Sequence, residues 1–149
     1  MKFIKLAYKF IFKTKHRGLV IKTILLSAHA CFRIKFYPGS KVHRFLGKNG
    51  GITPYEKLTQ HDDMRKVYFV SDKLARVIRH VPWDSKCLVQ AMVAQRLLRD
   101  YGLTSTLYLG VGRNRDTGEM IAHAWVRCGT YAVCGGDGKG YGVVATFLM

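Results

Sequence analysis

The hydrophobic period of the chain changes once, at Gly102, and no other feature of the sequence constrains the fold as much. Up to Gly102, apolar residues recur every three or four positions, as they do on one face of a helix. Beyond it they come in short strand-like segments separated by turn signals at residues 114–118, 128–129 and 135–140. Helices first and an antiparallel meander afterwards make an α+β chain.

Helical spacing covers residues 3–13 and 19–36, where Leu19, Ile21, Ile24, Leu25, Ala28, Cys31 and Phe32 supply an apolar face. Tyr37, Pro38 and Gly39 stop the second run, and a short helix over residues 41–46 follows. Residues 47–54 read as a loop, because they contain three glycines and Pro54. That loop divides a basic helical region, residues 1–54, from a core region, residues 55–149. Val67, Val70, Leu74, Val77 and Ile78 mark a helix over residues 62–80, ended by Pro82. The next helix carries Leu88, Ala91, Met92, Gln95 and Leu98, with Asp84 or Ser85 as N-cap and Gly102 as terminating glycine. The strands expected after it are residues 104–111, 120–127, 130–133 and 142–148.

A chain of 149 residues removes roughly 70% of its unfolded surface from water, so its core needs neither disulfides nor a metal. With 48% hydrophobic residues it is too apolar for a disordered basic tail. The charge is lopsided. The net +16 comes from 25 Lys and Arg against 9 Asp and Glu, and the first 50 residues hold 12 of the cations and no acid. Such a region suits an acidic partner, whether a protein, a membrane surface or nucleic acid, or is simply a solvated lysine-rich face. Lysines at every third or fourth position of residues 1–12 interrupt any signal-peptide core. The uncharged stretch 23–32 is far short of the ~20 apolar residues that span a bilayer. A cytoplasmic protein is expected, with Cys31, Cys87, Cys128 and Cys134 as thiols.

Cys87 falls in the first turn of its helix, where unpaired N–H groups and the positive end of the dipole favour a thiolate. An isolated cysteine there is more often a small buried apolar residue. His123 changes the balance. Strand alternation sets Ile121, His123 and Trp125 on one face, and a helix-start cysteine packed against such a histidine has a base to take its proton. Asp137 is the one acid after Glu119 and stands in the loop Cys134-Gly135-Gly136-Asp137-Gly138. It either orients the imidazole or is a turn aspartate; failing it, Asn114 or a backbone group must serve.

Pro82-Trp83, Cys87-Leu88-Val89-Gln90-Ala91, Gln95-Arg96-Leu97-Leu98, Gly102, Leu109-Gly110-Val111 and His123-Ala124-Trp125-Val126 closely resemble the lasso-peptide leader peptidases. These are the B proteins of lasso-peptide biosynthesis, of transglutaminase-like, papain-related fold. The resemblance is strongest over residues 82–126 and looser over the basic N-terminal helices. It implies Cys87 as nucleophile, His123 as general base and an aspartate just after the histidine strand, here Asp137, as third member. The sequence departs from the family where Gly135 and Gly136 stand about where that acid is expected.

The expected function is removal of the leader from a ribosomally made precursor, without cofactor or metal. The resemblance implies three partners: the leader region of the precursor, a separate leader-binding protein and a lasso cyclase. Peripheral contact with anionic membrane is a further use for the basic third. The competing reading is a non-catalytic basic module that binds peptide, membrane surface or nucleic acid. Nucleic acid is the weaker of these, since Phe3, Tyr8, Phe10 and Phe12 fit the apolar face of a helix. A zinc site from Cys87, His123, Cys128 and Cys134 has suitable ligand types but lacks the close spacing of ordinary zinc modules.

Overall fold

The computed structural model describes residues 16–52 and 60–149. The expected helix over residues 3–13, and the end of the loop at Pro54, lie outside the described residues.

Helix α1, Arg17–Phe36, has the expected extent but buries a different face. Its inward stripe is Val20, Thr23, Ser27 and Ala30, whereas Ile21, Leu25 and Phe32 are 45%, 64% and 54% exposed. Small side chains on the inner face let α1 lie close against the helices beneath it. The buried hydroxyls cost little because both are satisfied within α1: Thr23 Oγ1 donates to Leu19 O at 2.7 Å, and Ser27 Oγ to Ile24 O at 2.8 Å.

A short helix, α2 (Gly39–Val42), runs into a 3₁₀ turn at His43–Phe45. The two-residue strand β1, Lys48–Asn49, then falls inside the expected loop. It forms by pairing with Leu148 and Phe147 at the far end of the chain, which no local pattern announces.

Helix α3, His61–Ile78, buries Val67, Val70, Leu74 and Val77. Asp62 and Asp63 in its first turn suit the positive end of the helix dipole, and Lys66 one turn on reaches both carboxylates, at 2.8 and 3.1 Å.

Helix α4, Cys87–Asp100, is the centre of the fold, with Ala91, Val93, Ala94, Leu97 and Leu98 all essentially inaccessible. Neither Asp84 nor Ser85 caps it. Lys86 occupies the N-cap position with no side-chain hydrogen bond, and the Ser85 carbonyl instead accepts from Gln90 Nε2 at 2.8 Å. The C-terminus follows the expectation: Gly102 has φ +75°, its N–H bonds Arg99 O, and Leu103 N–H bonds Leu98 O. This is a Schellman close, which favours glycine at the left-handed position.

Four longer strands complete the chain: β2 (Thr106–Arg113), β3 (Met120–Cys128), β4 (Tyr131–Cys134) and β5 (Gly142–Leu148). The antiparallel sheet has the order β1-β5-β2-β3-β4, confirming an α+β chain. One face carries Leu107, Ala124, Val126, Cys128 and Phe147 into a shared core with α1, α3 and α4. Gln95 pins α4 to that face through Nε2, 2.9 Å from Phe147 O. The opposite face carries Tyr108, His123 and Trp125, with Tyr108 and Gly110 of β2 directly opposite Trp125 and His123 of β3.

Candidate active site

Cys87 is the first residue of α4 and is half-buried. Because α4 has no side-chain cap, its first-turn N–H groups are left for another acceptor. Cys87 packs against the edge of the core and lies within electrostatic reach of Cys134, the last residue of β4. Burial pushes the Cys134 thiol up to about 12, and the neighbouring Cys87 adds a smaller push in the same direction. Burial likewise raises Cys128 to about 11, and its sulfur donates to Thr104 O at 3.3 Å. All four cysteines are free thiols. Among the described residues no three His, Cys, Asp or Glu side chains converge as metal ligands.

The residue after Cys134 holds the histidine. Nε2 of His123 lies 2.6 Å from the carbonyl oxygen of Gly135. A carbonyl accepts but cannot donate, so Nε2 carries the proton and Nδ1 is left with the lone pair in the neutral ring. The ring is wedged between Tyr141, 4.7 Å between centroids, and Trp125, 5.9 Å and nearly parallel. Trp125 in turn stacks on Tyr108 at 5.4 Å with an interplanar angle of 5°.

Residues 135–141 are threaded over this aromatic face. At Gly135, φ is +77°, and a Cβ there would stand 2.8 Å from Trp125 Cα; one at Gly138 would clash with the edge of the Trp125 indole around Cε2 and Cζ2. Both glycines are therefore required by close approach, and the loop settles on Trp125 with the Gly135 carbonyl turned to the imidazole. Asp137 lies in the same loop but faces elsewhere. Its carboxylate accepts from the Lys139 backbone N–H at 3.1 Å and pairs with Lys139 Nζ at 3.1 Å, and the Lys139 N–H first and its ammonium second hold it below the usual carboxylate range. No hydrogen bond joins Asp137 to His123. Asn114 Oδ1 is engaged by the N–H groups of Asp116 and Thr117 in the β2–β3 turn.

His123 is bonded to Gly135, the residue after Cys134, and Cys87 lies within electrostatic reach of Cys134; no hydrogen bond joins Cys87 to His123. The carbonyl belongs to the glycine pair after β4, the place where the sequence departs from the family's acid. The sequence carries no signal for Tyr141 against the imidazole, which depends on where the loop lands.

Helices packed on one face of a five-stranded antiparallel sheet make the α+β architecture of a transglutaminase-like core. The family model of the transglutaminase-like superfamily matches residues 37–146, and the chain belongs to that superfamily, which includes cysteine proteases. No curated protein and no solved structure matched the chain. Among the described residues no helix is long and apolar enough to cross a membrane.

Proposed function

We propose that the protein is a cysteine peptidase that removes the leader from a ribosomally synthesised lasso-peptide precursor. The observation that carries the reading is the His123 Nε2 bond to the Gly135 carbonyl, in a transglutaminase-like chain whose helix α4 begins with a cysteine. That bond leaves Nδ1 as the base. His123 takes the thiol proton of Cys87, and the sulfur attacks the scissile carbonyl of the precursor. The tetrahedral oxyanion is met by the backbone N–H of Cys87 at the uncapped helix start. Collapse breaks the C–N bond, His123 returns the proton to the leaving amine, and the leader remains as a thioester on Cys87. Water, deprotonated by His123, then releases the leader as a carboxylic acid and restores the thiol.

In substrate-free enzymes such cysteine and histidine pairs are often long and tighten on substrate binding, which agrees with the absence of a hydrogen bond between these two. The Gly135 carbonyl takes the orienting place that the resemblance assigns to Asp137. By the same resemblance, a leader-binding protein presents the precursor and a cyclase consumes the freed amine. The basic first third would dock an acidic surface of those partners or anionic membrane.

The test is incubation with the precursor, with and without the leader-binding partner, read by product mass. Cleavage between leader and core is expected. Intact precursor under both conditions would leave the non-catalytic binding module.

A further inference from the structure

Away from Cys87, a cavity of about 500 Å³ opens between α1, the 3₁₀ turn, the C-terminal half of α4 and the end of β5. Its walls hold four arginines: Arg33 of α1, Arg44 of the turn, and Arg96 and Arg99 of α4. Among the described residues no Asp or Glu lines it, Met149 at its rim brings only a main-chain carboxyl group, and none of the four arginines is in an ion pair. Other surface cations do find carboxylates: Lys22 pairs with Asp100 at 2.8 Å and Arg76 with Asp72 at 2.8 Å.

Arg33 is the most constrained of the four. Its guanidinium carbon sits 3.4 Å over the Phe45 ring, and its Nε donates to His29 Nε2 at 2.8 Å. Nη1 is buried and without a partner. That buried nitrogen fixes the guanidinium rather than meeting solvent, and among the described residues no carboxylate balances its charge; an anion entering the cavity supplies one. The stack on Phe45 holds the planar group in place beforehand, so little side-chain entropy is lost on binding.

We infer that this cavity binds an acidic peptide segment, one with carboxylates alternating with apolar side chains. The four guanidiniums sit on three separate elements around the space, so they match several anionic groups rather than one. Between them lie Leu26, Phe45, Val93 and Leu148, apolar surface that a bare inorganic anion would leave in water. The location also suits a peptide: from Cys87 to Arg96 along α4 is about 14 Å, the span of roughly four extended residues. The inference deepens the peptidase reading and, as an account of substrate binding, rests on it.

The test uses the full chain with Cys87→Ala, so that binding is read without cleavage. A fluorescein-labelled hexapeptide of alternating Glu and Leu is titrated by anisotropy beside the same peptide with Gln for Glu. The Glu peptide should bind at least about tenfold more tightly, and Arg33→Gln or the exposed pair Arg44→Gln/Arg96→Gln should erase most of that difference. Arg113→Gln, on the exposed end of β2, is the control and should change nothing. Equal affinity for the two peptides overturns the inference. So does an Arg44→Gln/Arg96→Gln protein that binds like the control, even if Arg33→Gln fails to fold. Displacement of the peptide by pyrophosphate at much lower concentration than by unlabelled peptide overturns the peptide assignment. Arginine-dependent binding by a wild type that cleaves no precursor would sink the peptidase reading and leave the cavity standing. Cleavage with peptide binding indifferent to the arginines would do the reverse.

Discussion

Nε2 of His123 donates to the main-chain carbonyl of Gly135 at 2.6 Å, so the imidazole is oriented by backbone rather than by a carboxylate. A backbone carbonyl supplies direction without a full negative charge, and no side-chain substitution removes it directly. Only the path of the loop decides whether it is present.

Asp137 and Gly135 should therefore behave oppositely. Asp137→Ala is expected to keep kcat/KM within about threefold, since its carboxylate serves Lys139. Gly135→Ala forces a Cβ toward the Trp125 backbone and should lower kcat by about a hundredfold or more, by turning the carbonyl away from Nε2. Precursor cleavage by both variants, with near-ultraviolet circular dichroism to confirm the fold, decides the matter. A dead Asp137→Ala with an active Gly135→Ala would return the orienting role to the acid.

Cys87→Ala and His123→Ala should each reduce cleavage to background, and the double variant should be no worse than either. Groups acting as one unit lose their contribution once. Melting temperatures should change little, because both side chains are only partly buried. Residual cleavage by Cys87→Ala would falsify the nucleophile assignment.

The thiols should separate by reactivity. Burial pushes the Cys134 and Cys128 thiols up to about 12 and about 11, so at pH 8 both are almost entirely protonated and unreactive. Iodoacetamide followed by peptide mass mapping should label Cys87 well before either. Serine at Cys31, Cys128 and Cys134 should leave cleavage largely intact, as should a chelator; loss of structure on chelation would revive the zinc reading.

Gly102→Ala should destabilise the protein by about 1 kcal/mol, since an alanine must take up φ +75° at the end of α4. No heavy atom lies within 4 Å of the added Cβ, so the cost is conformational and not steric crowding by neighbours. Thermal or urea unfolding measures it, and an unchanged midpoint would contradict the helix-end assignment.

Asp72 hydrogen-bonds Arg76, and that guanidinium foremost holds its carboxyl below the usual range. A depressed folded-state pKa adds stability that is present above the unfolded carboxylate pKa and lost as pH falls through the folded value. Arg76→Ala should thus narrow the difference between neutral and acid stability, by about 0.5 kcal/mol or less because the pair is exposed. Urea midpoints at pH 7 and pH 3 measure the change.

What the sequence determined by itself was the kind and extent of most elements, which short-range chemistry governs, though not the cap of α4, where Lys86 stands in place of Asp84 or Ser85. The period change at Gly102 separates helices from strands, the glycine closes α4, strand β5 runs over residues 142–148 as its pattern indicates, and Cys87 falls at a helix start because helix signals are local. Tertiary structure decided which way those elements face and what meets across them. The period of α1 was legible but its rotation was not, since burying Thr23 and Ser27 in place of Leu25 and Phe32 depends on how closely a neighbouring helix approaches. Strand β1 exists only because Leu148 and Phe147 come to lie beside it. The partner of His123 depends on a loop seated over Trp125, and the four arginines of the cavity come from segments more than 50 residues apart. Local sequence specifies the backbone states a segment prefers, whereas the contacts between segments are chosen by the packing of the whole chain, and the candidate site consists of such contacts.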